Sequence, residues 1–251
     1  KQCENCQSLE ACRNILPGYT PVISVENNEI HLAYTKCQAK LDFEKRRKTE
    51  NLIQNFYMPK TILEARFADL HSDPERSLAI RETVKFLEEA KTKLPEKGLY
   101  FYGPFGVGKT YFLGAIANEL KKYRISSIII YMPEFVRDMR NAIKDDTLND
   151  KIDFFKTADV LMFDDIGAET QSAWFRDEVL GTILQYRMME RLPVFFTSNF
   201  SLEQLETQIS ETAKGGIEEV KAGRIMERIK QVSKEVPIFG HNYREKQEPD
   251  T

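Results

Sequence analysis

At 251 residues the chain has room for one large domain or a large and a small one, and 41% hydrophobic and 30% charged residues with only 10 Pro and 12 Gly exclude a disordered, collagenous or low-complexity protein. Lys plus Arg number 36 against 39 Asp plus Glu, so no positive field over the whole body draws the chain to polyanions, and any nucleic-acid contact must be a local patch. No run approaches the ~18 consecutive apolar residues of a membrane span, and the first dozen residues lack an apolar leader core, which predicts a cytoplasmic protein with no membrane partner.

The chain opens on Lys1 rather than Met, which predicts further chain upstream. All four cysteines, Cys3, Cys6, Cys12 and Cys37, fall at the start, in the spacing C-x2-C-x5-C-x24-C, and mark a separate module over residues 1–39. Disulfides do not persist in a reducing cytosol, and a segment too small for its own core is most simply held by structural Zn2+ on these four thiolates. His31 is a competing ligand in place of Cys12, and free buried thiols are the other option. A zinc closed by four protein ligands shapes a binding surface and does not catalyse; Ile15, Leu16, Tyr19 and Val22 are available for that surface. Lys40 to Asn51 is charged and lacks turn residues, a short helix or a solvated connector, so the linker is placed at 40–58 and the main domain at 59–251. Ile62, Leu63, Phe67 and Leu70 then recur at near-helical spacing.

From Pro74 onward, long amphipathic stretches alternate with short apolar runs: Leu99 to Tyr102, Ile128 to Tyr131, Val160 to Phe163, Val194 to Thr197 and, more weakly, Val236 to Phe239. Such alternation predicts an α/β domain with a parallel sheet flanked by helices. Between the first run and the helical stretch after it lies Gly103-Pro104-Phe105-Gly106-Val107-Gly108-Lys109-Thr110, which fits the phosphate-loop pattern GxxxxGK[ST]. Glycines allow the tight turn that points consecutive N–H groups inward, and the following helix adds its N-terminal partial charge. Lys109 is then expected on the β and γ phosphates of ATP or ADP, and Thr110 on Mg2+. The third run ends in Asp164 and Asp165, at the carboxyl edge of the sheet where open α/β folds bind ligands. Asp164 is expected to hold Mg2+ and Asp165 to orient or deprotonate the attacking water. GTP is disfavoured, because no guanine-specifying NKxD accompanies the DxxG at Asp164 to Gly167.

In order and spacing, GPFGVGKT, VLMFDDIG and VFFTSN resemble Walker A, Walker B and sensor 1 of AAA+ ATPases. The resemblance implies that Asn199 contacts the γ phosphate or attacking water, and that nucleotide contacts extend to Tyr111 and, near the adenine, to Phe67. It further implies that Arg228, four residues from Arg224 on one helix face, acts in trans as an arginine finger in an oligomer. With a dozen residues after Phe239, the resemblance implies a core of the lidless type, with Arg244 expected to stand in for sensor 2. With the upstream PKTILEARFADL and the terminal NYR, the chain is similar to the DnaC, DnaI and IstB group, and the cysteine module points to its helicase-loader branch. Implied partners are the hexameric replicative DNA helicase, single-stranded DNA and other primosomal proteins, with a homo-oligomer on the helicase and a weak ATPase used as a switch. Arg137, Arg140 and Lys144, at helical spacing, are candidates for phosphate contacts to single-stranded DNA, with Phe135 as a stacking residue. Two alternatives stay open: an IstB-type transposition regulator, and a nucleotide-binding adaptor without turnover, since Asp165 is one methylene shorter than the usual Glu.

Overall fold

The structure, a computed structural model, describes residues 12, 14, 16–26, 29–41, 53–56, 58–70, 74–168, 172–210 and 218–243. The chain divides into two compact units, Lys1–Leu52 and Ile53–Thr251.

In the first unit, β1 (Tyr19–Glu26) and β2 (Glu29–Lys36) form an antiparallel hairpin in register from Tyr19↔Lys36 to Glu26↔Glu29. The sequence expectation did not contain this hairpin and took Leu16, Tyr19 and Val22 only as loose apolar surface. Leu16 and Val22 are exposed, while Ile15 lies outside the described residues. At the base of the hairpin Gly18, at φ 83°, donates its N–H to Cys12 Sγ at 3.4 Å and accepts the Cys37 N–H at 2.9 Å. Cys12 and Cys37 are free thiols brought to one place, and Cys3 and Cys6 lie outside the described residues. His31 does not fit as the substitute ligand. It sits on β2 opposite Ser24, six extended residues before Cys37, so at ~3.4 Å per residue it is ~20 Å away along the strand.

The second unit is a six-stranded sheet of order β3-β5-β6-β7-β4-β8, with every pair parallel. Its strands are β3 (Ile53–Phe56), β4 (Gly98–Tyr102), β5 (Ser127–Tyr131), β6 (Val160–Asp164), β7 (Val194–Ser198) and β8 (Ser233–Pro237). Between them run α1 (Lys60–Leu63), α2 (Ser77–Ala90), α3 (Lys109–Lys122), α4 (Met132–Lys144), α5 (Leu148–Lys156), a π-helical turn Phe175–Leu180 continuing into α6 (Gly181–Met189), α7 (Leu202–Ser210) and α8 (Glu219–Val232).

Strand side chains alternate between two cores because successive residues face opposite sides of a sheet. Tyr100, Ile128, Ile130, Leu161, Phe163, Val194 and Phe196 join the core beneath α4 to α8. Leu99, Phe101, Ile129, Val160, Met162 and Phe195 join the core beneath α2 and α3. Burial on both faces explains why these strands read as continuous apolar runs in the sequence.

The sixth strand, β3, falls inside the stretch assigned to the linker. Its sequence IQNF is short and half polar, and only pairing with the edge of β5 makes it a strand. The last strand is Ser233–Pro237, earlier than the apolar run at 236–239. The near-helical spacing of 61–70 resolves into α1 and a separate 3-10 turn Phe67–Asp69, because Arg66 is extended at φ −117°, ψ 140°. No described helix is long and apolar enough to cross a membrane.

Candidate functional site

Three neighbouring strands, β6, β7 and β4, end at the same sheet edge, and each delivers polar groups to one cavity of about 580 Å3. From β4 the chain enters the glycine loop and turns into α3 at Lys109. Gly106 (φ 78°) and Gly108 (φ 88°) are left-handed, a conformation costly for side-chain-bearing residues, and a Cβ on Gly106 would lie 1.7 Å from Asn242 Oδ1. Lys109 is 8% exposed, and its Nζ donates to Gly103 O (2.7 Å), Pro104 O (2.7 Å) and Asn199 Oδ1 (2.9 Å). The loop thus holds an ammonium where its own carbonyls and the end of β7 converge.

Thr110 Oγ1 lies 2.8 and 3.1 Å from the two oxygens of Asp164. From the other side Thr197 Oγ1 donates to Asp164 Oδ1 at 2.6 Å and accepts the Asp165 N–H at 2.8 Å. Asp165 is itself left-handed at φ 64°, and its Oδ1 accepts from Asn199 Nδ2 at 3.2 Å. The two adjacent carboxylates therefore differ in environment. Burial pushes the Asp164 carboxyl up to about 6, and the Asp165 charge adds to this; the Thr197 and Thr110 hydrogen bonds and the Lys109 charge oppose it.

Most expected nucleotide contacts meet here: Phe105, Gly106, Gly108, Lys109, Thr110, Tyr111, Asp164, Asp165 and Asn199 line the cavity, and Gly103, Pro104 and Val107 complete the loop behind it. The donor set suits a nucleotide phosphate with a divalent cation: a glycine cradle with no room for Cβ atoms, an ammonium, a hydroxyl and a carboxylate. Sequence reasoning missed Thr61, Ile62, Tyr131, Thr197 and Tyr243, which also line the cavity. Of these, only Thr197 carried a signal, as part of the polar end of VFFTSN. The others come from segments that only folding brings near.

Phe67 does not line the cavity. It packs against the α2–α3 core, and the same turn presents Leu70 to a smaller adjoining cavity of about 240 Å3 shared with Arg76, Gly108, Tyr111 and Tyr243. Arg228 is half-buried and donates to Gly181 O at 2.9 Å, tying α8 to α6, whereas Arg224 is exposed. Arg244 lies outside the described residues. Arg137, Arg140 and Lys144 are exposed on α4, with Arg137 bonded to Glu134 at 3.0 Å. Phe135 cannot stack on a base. It is 0% exposed and packs edge-on against Phe155 and Phe175.

Residues 71–217, more than half of the chain, match the family model described as the bacterial DnaA ATPase domain. Over 97% of its length the chain is 43% identical to the replicative helicase loader DnaI of Bacillus subtilis, covering 79% of that protein. The chain belongs to the DnaI family of replicative helicase loaders. A crystal structure of DnaI superposes with a TM-score of 0.67 at 46% identity, over 78% of this chain and 99% of that one. A putative primosome component from Streptococcus pyogenes serotype M3 does so with a TM-score of 0.64 at 36% identity, over 79% and 98%. For this DnaI-family chain the expected α/β AAA+ core holds, and membership sets aside the transposition-regulator alternative. Cys3 and Cys6 lie outside the described residues, and among the described residues no group of three or more His, Cys, Asp or Glu side chains is placed to hold a metal ion.

Proposed function

We propose that this chain is an ATP-dependent loader that binds the hexameric replicative DNA helicase and helps place it on single-stranded DNA in the cytoplasm, alongside other primosomal proteins. The observation that carries the reading is the junction of Lys109, Thr110, Asp164, Asp165 and Asn199 at one sheet edge of a DnaI-family chain. Lys109 exchanges its carbonyl and amide acceptors for oxygens of the β and γ phosphates. Thr110 and Asp164 hold Mg2+, which supplies charge neutralisation to the phosphates. Asp165 accepts a proton from the attacking water, and Asn199, bonded to both Lys109 and Asp165, fixes that carboxylate relative to the terminal phosphate. Hydrolysis is weak and acts as a switch.

In a homo-oligomer on the helicase, a neighbour's arginine stabilises the transferring phosphoryl group. Arg228 is the motif's candidate and is half-buried with Nη1 bonded to Gly181 O, whereas Arg224 is exposed. Arg140, Lys144 and Arg137 form the single-strand contact. Their alanine variants should flatten the salt dependence of binding, and an unchanged slope would remove the assignment. Structural Zn2+ on Cys3, Cys6, Cys12 and Cys37 shapes the N-terminal interaction surface; the meeting of Cys12 and Cys37 at Gly18 supports this.

Native mass spectrometry of the chain mixed with the replicative helicase of the same organism, with and without ATP, tests the loader reading. A complex of one helicase hexamer with several copies of this chain is the expected result. ATP and DNA binding without any helicase complex, in the full-length protein, would refute it.

A further inference from the structure

Four carbonyls of the phosphate loop are held by donors. Lys109 takes those of Gly103 and Pro104, the Tyr243 N–H donates to Gly106 O at 3.0 Å, and Arg76 Nη2 donates to Val107 O. In a planar trans peptide the C=O and the following N–H point in opposite directions. Holding Gly106 O and Val107 O therefore aims the N–H groups of Val107 and Gly108 to the other side of the loop, the orientation that binding a phosphate requires.

Both holding groups come from far along the chain and touch each other. Arg76 closes the 3-10 turn before α2 and is 3% exposed, and its guanidinium carbon lies 3.9 Å from the centroid of the Tyr243 ring. A guanidinium is flat, so one edge can hydrogen-bond a carbonyl while its face stacks on an aromatic ring, whereas an ammonium has no flat face to stack. The fit leaves little slack: a Cβ on Gly108 would lie 3.2 Å from Arg76 Nη2, and the Asn242 amide fills the space beside Gly106. Segment 238–243 is anchored further back, where the Ile238 N–H donates to Tyr102 O at 2.7 Å.

We propose that Arg76 and Tyr243 form a clamp that sets the conformation of the phosphate loop, with Arg76 as a positioning residue for the nucleotide phosphates. Through it, the segment after β8 is tied to the nucleotide site. The clamp rests on the reading of Gly103 to Thr110 as a phosphate-binding loop.

Binding of Mg-ATP, Mg-ADP and inorganic tripolyphosphate, measured by displacement of a fluorescent ADP analogue, tests it on Arg76→Ala, Arg76→Lys, Tyr243→Leu and Tyr243→Phe, with thermal unfolding to check folding. Arg76→Ala should weaken all three ligands by a common factor of about tenfold to a hundredfold, since a buried charged hydrogen bond is lost. Arg76→Lys should recover only part of this. Tyr243→Leu keeps the backbone bond to Gly106 and removes the ring, so it should weaken all three by about threefold to thirtyfold, and Tyr243→Phe should restore them. Should Arg76→Ala not fold, the Tyr243 pair decides the matter. Unchanged affinities in folded variants would overturn the clamp, as would losses confined to ATP and ADP with tripolyphosphate unaffected, which would place the pair at the nucleoside end. Wild-type protein that binds none of the three would instead remove the phosphate-loop reading itself.

Discussion

Asp164 should destabilise the nucleotide-free and metal-free protein at neutral pH, and Asp164→Asn should relieve that cost. Burial raises this carboxyl from 3.8 to about 6 in the folded chain. Between those two values the unfolded chain has lost the proton and the folded chain keeps it, so stability falls as pH rises through this window. At about 1.4 kcal/mol per unit, the shift amounts to roughly 3 kcal/mol lost by pH 8. An Asn at this position keeps an oxygen to accept from Thr110 and Thr197 and carries no charge. Urea unfolding with a chelator present should therefore find the variant about 1–3 kcal/mol more stable at pH 8, with the difference falling to about half of that at pH 5 and toward zero only below about pH 4, where both states hold the proton. The same variant should lose Mg2+-dependent nucleotide binding, stability and function being opposed at this carboxylate. A variant less stable than wild type at pH 8, or a difference that does not change with pH, would refute the burial argument.

Asp165→Asn should keep ATP affinity and reduce phosphate release to background, and equal rates for wild type and variant would instead favour an adaptor without turnover. Arg224→Ala should leave urea stability within about 0.5 kcal/mol of wild type, whereas Arg228→Ala should cost about 1 kcal/mol through the lost bond to Gly181 O. Whichever of the two acts in trans should regain hydrolysis when its alanine variant is mixed with Lys109→Ala subunits, and a mixture no more active than its components would argue against a shared site. Arg187 is 0% exposed, and its guanidinium donates to the carbonyls of Lys156, Ala158, Asp159 and Pro193. Arg187→Lys cannot span that fork and should lower stability by about 2–4 kcal/mol in urea unfolding; a loss below about 0.5 kcal/mol would show the network to be dispensable.

The sequence alone carried the elements whose signal is local. A parallel strand buried on both faces is a short apolar run, so β4, β5, β6 and β7 could be read directly, and the glycine loop, Asp164, Asp165 and Asn199 each sit at the end of one of them. Their order along the chain was enough to name the chemistry. Elements that exist only through their neighbours were not legible. The four residues of β3 become a strand by pairing with β5, and the hairpin β1–β2 closes at Gly18, whose left-handed turn brings Cys12 to Cys37 and leaves His31 far along the strand.

Side-chain direction was equally out of reach. Helical spacing put Phe135 near a basic face, but the face it occupies is the core. Spacing also grouped Arg224 with Arg228, though one is exposed and the other is bonded to α6. The tertiary structure decided what holds the site in shape: Thr197 bridging the two aspartates, and Arg76 and Tyr243 meeting over the loop from positions separated by most of the domain. A sequence records which residues lie at strand ends. The partners of their carbonyls and carboxylates are fixed only when distant segments pack, because a hydrogen bond a few ångströms long depends on where the whole backbone goes.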